Sequence, residues 1–467
     1  MQIAHKKDIP EELVVDIIKI SNLGYGIAKV DGYIIFVENT CPGDKVKIKI
    51  GKKNKNFAFA KIIEILEPSK DRITPFCPMQ NVCGACQLQH IKYEAQLKYK
   101  KQIVEDAMGI NKGDGNYWVQ VRDTIASPKS KEYRHKIQYP ISETRDSKRI
   151  LAGYYKYSSH ELVNIKHCPI QPNYCDKIID FIRLAAQECG ISGYKEKQHA
   201  GDLKHVVIRT SAYNNKSLII LVVNSTKLFD KLKILTHKIY TELDNIIGVG
   251  VNFNPQKTNL ILGKETKICV GESFIEEKLC DKIFKVGVDT FFQVNPYTAN
   301  NIFEYIKKYI SDNYKSPLIL DAYAGISTFG ICLSDVAKKI VTVEEVKAST
   351  DLASKIIKEN VIKNIEIHNM DAGKFFEKEF LTKGRTFDIT ILDPPRKGCT
   401  QESLNYALKL TKSDFGKIIY VSCNPITLAR DLKYLTEKGC TVEFIQPFDM
   451  FPHTYHIENV AVINVKQ

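Results

Sequence analysis

Apolar and polar positions along the chain change their period from one region to the next. From about residue 8 to 66 short β-rich runs (residues 14–18, 33–37 and 46–50) are separated by glycine turns at Gly24-Tyr25-Gly26 and Pro42-Gly43-Asp44. That rhythm predicts a small all-β unit, a five-stranded barrel of the oligonucleotide-binding kind. Glu67-Pro68-Ser69 ends it, and a cysteine-rich segment follows. Residues 91–110 carry the period of a basic amphipathic helix closed by Gly109. From about 120 to 285 the pattern is mixed α+β, with strands at 205–209 and 218–223. Strand and helix then alternate as in a parallel, doubly wound α/β sheet. Three domains are expected: 1–67, 68–285 and 286–467.

Composition adds a partner. Lys and Arg outnumber Asp and Glu 67 to 54, a formal +13, which suits a polyanion such as RNA. Lys45, Lys47, Lys49, Lys52, Lys53, Lys55 and Lys61 follow one another with no acid between them, around Phe57 and Phe59. Lysines for phosphates and aromatics for stacking make an RNA surface. Arg134, His135, Lys136, Lys204 and His205 are further candidate RNA contacts. Met1–Asp8 leads straight into structured sequence, and no apolar run reaches membrane-spanning length, so a cytoplasmic protein is expected. In a reducing compartment the 13 cysteines point to metal or catalysis rather than disulfides.

The C-terminal strands end in chemistry. Residues 317–321 form a buried strand that runs into the small-residue turn Ala322-Tyr323-Ala324-Gly325, which lets backbone approach a ligand closely. The next strand ends in Glu344, placed for ribose hydroxyls; Met370-Asp371 ends the third, where an adenine could sit; Asp393-Pro394-Pro395-Arg396 ends the fourth. The turn lacks both the dinucleotide glycine pattern and a phosphate loop. A nucleoside without polyphosphate, held by carboxylates, points to S-adenosylmethionine.

Strand five, residues 417–421, delivers Cys423 in Ser422-Cys423-Asn424-Pro425, just before a helix whose N-terminus should lower the thiol pKa. Phe451-Pro452-His453-Thr454-Tyr455-His456-Ile457-Glu458 follows in a closing hairpin. Carbon 5 of uracil becomes a nucleophile once a thiolate adds to carbon 6, and a base must then remove the carbon 5 proton. Cys423 and Glu458 supply that pair; Asp393 is placed to orient thiol or ring, and His453 and His456 are alternative bases.

Asp393-Pro394-Pro395-Arg396-Lys397-Gly398, Ser422-Cys423-Asn424-Pro425 and the Phe451–Glu458 stretch resemble the motifs of the RNA uracil-5-methyltransferases, in particular the bacterial ribosomal RNA branch. The resemblance covers nearly the whole chain, with a TRAM domain at the N-terminus and a class I (Rossmann-like) S-adenosylmethionine domain at the C-terminus. It implies methylation of carbon 5 of a uridine, in 23S ribosomal or in transfer RNA, by a monomer that flips the base out of its stack. By the same likeness Gln293, Tyr323, Glu344 and Asp393 contact S-adenosylmethionine, Cys423 is the nucleophile and Glu458 the proton acceptor. An amino-methyltransferase is the enzymatic rival, because Asp393-Pro394-Pro395 fits its motif, although Arg396 stands where an aromatic residue belongs.

Cys77, Cys83 and Cys86, with Cys168 or its rival Cys175, form a second set. Four thiolates suit zinc or a [4Fe-4S] cluster equally by spacing. The resemblance implies the iron–sulfur cluster, on Cys77, Cys83, Cys86 and Cys168, in a structural or RNA-organising role.

Overall fold

The computed structural model describes residues 9–110 and 118–466, so the stretch Met1–Asp8 read above lies outside the described residues. The chain divides into two compact units: one comprises 1–81, 86–127 and 379–467, the other 82–85 and 128–378.

In the first unit the N-terminal runs form a sheet of β1 (Glu12–Asp16), β2 (Lys19–Ile20), β3 (Gly26–Val30), β4 (Tyr33–Val37), β5 (Lys45–Lys53) and β6 (Phe57–Glu67). Their order is β1-β5-β6-β4-β3-β2. Six strands replace the five expected, the extra one being two-residue β2. Alternation decides the faces: Ile35, Val37, Ala58 and Ala60 are buried in the core, while Phe36, Phe57 and Phe59 point the other way. A helix over Tyr93–Met108, capped by left-handed Gly109 (φ 77°), occupies the segment expected to be helical.

The second unit holds a seven-stranded sheet of β7 (Lys136–Glu143), β8 (Ile150–Tyr155), β9 (Leu162–Asn164), β10 (Leu203–Thr210), β11 (Ser217–Val223), β12 (Ile246–Phe253) and β13 (Glu265–Gly271). Every residue of β11 is buried, as its unbroken apolar run requires. Helices Asn173–Glu188 and Asp230–Glu242 supply Ile178, Ile182, Leu232 and Leu235 to the same core. A hairpin of β14 (Phe274–Leu279) and β15 (Lys282–Gly287) and a helix over Pro296–Asn313 lead into β16 (Leu318–Asp321), β17 (Lys339–Glu344) and β18 (Ile365–Asn369), which pair in parallel.

The C-terminal part of the first unit contains β19 (Ile389–Leu392), β20 (Lys417–Ser422), β21 (Thr441–Phe448) and β22 (Glu458–Asn464). β19 and β20 are parallel, whereas β22 runs antiparallel between β20 and β21. The doubly wound pattern therefore closes with a single reversed strand, β22, and that reversal shapes the site.

Candidate active site

Cross-strand register brings the acid to the sulfur. The β20–β22 ladder ends on the pair Ser422↔Asn459, so Cys423 and Glu458 are each one step beyond it, on the same end of the sheet. Glu458 is in turn opposite Phe448 of β21. Asn459 Nδ2 donates to the Ser422 carbonyl at 3.1 Å, fixing the two strand ends together. Asp393 leaves β19 beside them, since Leu392 is paired with Tyr420.

The turn after Asp393 is built for close approach. Gly398 has φ 75°, and a Cβ there would stand 2.6 Å from both Arg430 and Asp431 side chains. Asn424 caps the helix Pro425–Glu437 by accepting from Ile426 N at 3.1 Å, and its Nδ2 donates to the Arg396 carbonyl at 3.1 Å. Thr427 Oγ1 donates to the same carbonyl. The Cys423 segment and the Asp-Pro-Pro-Arg turn are thus one hydrogen-bonded unit.

Cys423 is half-buried. Burial pushes its thiol up to about 11; Glu458 adds to the rise, Arg396 opposes it, and Asp393 raises it a little further. Desolvation thus works against the lowering expected from the helix N-terminus. Burial likewise raises Asp393 to about 7. Burial, then Asp393, lifts Glu458 well above the ordinary carboxylate range, against the pull of Arg396. Two acids and a thiol here all resist ionisation, and the Arg396 guanidinium opposes that rise at Cys423 and Glu458. Such clustered perturbation marks functional sites. In the sequence Arg396 stands out only as a non-aromatic residue, and its electrostatic part becomes visible only in the fold.

His453 is buried, 3.1 Å from Gln96 Nε2 through Nδ1 and edge-on to Phe76, which makes it a packed histidine. His456 lies against Tyr455, with ring centroids 4.2 Å apart.

In the second unit Tyr323 and Glu344 stand at the carboxyl ends of β16 and β17. Glu344 accepts from Gly325 N at 3.0 Å and Val346 N at 2.8 Å, so the acidic strand end also shapes the glycine turn. Gly325 has φ 54°, with nothing within 4 Å of a Cβ placed there, leaving room for a nucleoside against the backbone. Gln293 is half-buried in the segment before the helix Pro296–Asn313. Asp371, expected near an adenine, caps its own helix by accepting from Gly373 N and Lys374 N.

Residues 257–466 match the family described as tRNA (Uracil-5-)-methyltransferase, and 9–63 match the TRAM domain. An uncharacterized RNA methyltransferase of Halalkalibacterium halodurans is 36% identical over 463 residues, 99% of this chain and 98% of that protein. Another, of Clostridium acetobutylicum, is 37% identical over 98% of this chain and 97% of its own. The chain belongs to the RNA uracil-5-methyltransferase family. The structure of Pyrococcus abyssi tRNA (uracil-54, C5)-methyltransferase with S-adenosyl-L-homocysteine superposes with a TM-score of 0.75 at 23% identity, covering 97% of this chain and 100% of that one. The shared fold is that of class I S-adenosylmethionine methyltransferases with an N-terminal TRAM domain.

In this methyltransferase the lysine run divides in two. Lys45, Lys47 and Lys49 are paired with Glu67, Glu12 and Glu11 across neighbouring strands. Among the described residues Lys29, Lys52, Lys55 and Lys61 make no ion pair. Lys29 and Lys61 are on the face that carries Tyr25, Phe36, Phe57 and Phe59, whose ring centroids lie 5.4–6.2 Å apart. Of the other candidate RNA contacts, His135 and Lys204 are buried and drop out: His135 bonds Thr210, and Lys204 donates to the Asn254 and Gln256 carbonyls. Arg134, Lys136 and His205 are half-buried.

None of the four metal-set cysteines is in a disulfide, which leaves them the sulfur donors a cluster needs. Cys77 and Cys86 belong to the first unit, Cys83 and Cys168 to the second. Among the described residues no three Cys, His, Asp or Glu side chains form a metal-binding group. Cys175 is fully buried in the core under the seven-stranded sheet, which argues against it as the fourth ligand. No described helix is long and apolar enough to cross a membrane.

Proposed function

We propose that this enzyme methylates carbon 5 of a uridine in RNA, most readily 23S ribosomal RNA, through a covalent bond between Cys423 and carbon 6. The register that sets Cys423 beside Glu458 carries the reading. S-adenosylmethionine, held by Gln293, Tyr323, Glu344 and Asp393, supplies the methyl group as an electrophile. The chain's own residues do the rest. Cys423, once its proton has left to solvent, adds to carbon 6, and the electron pair of the 5,6 double bond makes carbon 5 nucleophilic. After methylation the Glu458 carboxylate takes the carbon 5 proton. The freed pair restores the double bond and expels the Cys423 thiolate.

Transfer RNA is the second reading, favoured by the name of the matching family and of the Pyrococcus neighbour. The aromatic face of the TRAM sheet, with its carboxylate-free lysines, supports an unpaired RNA partner in either case. Segments 1–67, 68–285 and 286–467 act as RNA-binding, central and methyl-transfer parts of a cytoplasmic monomer. A [4Fe-4S] cluster on Cys77, Cys83, Cys86 and Cys168 belongs to the same reading, resting on sequence resemblance and thiol chemistry.

RNA containing 5-fluorouridine has no carbon 5 proton to lose. It should stay attached to wild-type protein through denaturation and not to Cys423→Ala. Turnover of natural RNA without any such adduct would exclude the mechanism.

A further inference from the structure

Two polar side chains of the helix Tyr93–Met108, which the chemistry above does not use, are wholly buried: Gln96 and Lys100. They are four residues apart and so share one helix face. Lys100 Nζ donates to Asp449 Oδ1 at 2.5 Å and to the Phe451 carbonyl at 3.0 Å, and both ionic side chains have zero exposure. Gln96 Oε1 accepts from His453 N at 3.0 Å, while its Nε2 lies 3.1 Å from His453 Nδ1 and donates to the Leu88 and Ile91 carbonyls. Gln87 and Leu88 both donate from backbone nitrogen to the His453 carbonyl. His453 itself has φ 67°, the left-handed region that a β-carbon disfavours, so its surroundings must hold it there.

Apart from the bonds to Leu88 and Ile91, these contacts converge on residues 449–457, the loop joining Phe448 to Glu458, which are the last facing pair of the β21–β22 ladder. Lys100 ties the start of the loop and Gln96 its middle. A buried ion pair is weak support for stability, because desolvation offsets the attraction and apolar replacements often do as well. Its place on this loop calls for a different role.

We propose that Gln96 and Lys100 are positioning residues for proton abstraction, fixing the loop so that Glu458 meets the carbon 5 proton and leaving the earlier steps alone. The inference rests on the reading of Glu458 as base. In that step the carboxylate gains the proton, the C–H pair becomes the 5,6 π bond, and the C6–S bond breaks to release the Cys423 thiolate.

The test is a single turnover of full-length protein with uridine RNA and methyl-labelled S-adenosylmethionine, reading methyl transfer and RNA retained on denatured protein separately. Lys100→Met should transfer methyl at close to the wild-type rate yet hold methylated RNA covalently, with release slowed roughly 10²-fold, as for a misplaced catalytic group. Release at the wild-type rate, or equal slowing of transfer and release, overturns the proposal. Should thermal melting show Lys100→Met unfolded, Lys100→Met with Asp449→Leu keeps an apolar pair, still lacks the bond to Phe451, and is read by the same criteria. Glu458→Gln is the reference: slow release there with normal release in Lys100→Met sinks only the positioning role. Normal release in Glu458→Gln sinks the base assignment itself.

Discussion

At Cys423 the motif was legible in the sequence and its environment was not. Ser422-Cys423-Asn424-Pro425 announces a thiol before a helix, and the helix is there, capped by Asn424. What the motif could not convey is that burial would raise the thiol to about 11, leaving Arg396 as its first opposing charge. The pH consequence follows with its sign. Arg396 lowers the thiol pKa, so removing the guanidinium raises it further, and fewer thiolates exist at any neutral pH. Arg396→Met should therefore shift the rising limb of the kcat/KM against pH profile to higher pH, with Arg396→Lys in between. An unmoved limb would mean that Arg396 does not act on the sulfur. Lys100 shows the opposite lapse: it read as one more basic position on an amphipathic helix, and only packing shows it at zero exposure.

Among the elements, period and turn chemistry located the strands well. β4 matches its expected bounds, and Glu344 closes β17 as foreseen. Register was the unread part, because it depends on which strand pairs with which. Lys45, Lys47 and Lys49 looked equivalent to Lys52, Lys55 and Lys61 until β1 and β6 brought Glu12, Glu11 and Glu67 alongside. Phe57 and Phe59 are neither core nor isolated. They join Tyr25 and Phe36 in a half-buried outward cluster. If unpaired bases stack there, Phe36→Ala with Phe59→Ala should raise KM for RNA about tenfold and spare kcat, since one stacked base is worth about 1–3 kcal/mol. An unchanged KM would leave the cluster a purely structural one. Lys204 could not be placed from sequence either: a lysine beside a histidine on a strand looks like surface until Asn254 and Gln256 offer it carbonyls.

At the scale of the molecule, the order of β-rich, mixed and alternating regions was readable, because each has its own period. The grouping into units was not, since the first unit gathers residues from both ends of the sequence. The proposed cysteine quartet belongs to this scale too, because Cys168 is far from the other three in sequence. If it holds iron, protein purified without oxygen should contain about four irons and four sulfides per chain, falling sharply in Cys168→Ala and little in Cys175→Ala. Zinc in place of iron, or no metal, would overturn the cluster. The position of β22 between β20 and β21 has a consequence for synthesis. The ribosome makes Cys423 before the strand that carries Glu458, so under the proposed mechanism the pair cannot exist until β22 has been made. Only when that late strand slips between two earlier ones does the sulfur gain the acid proposed for it.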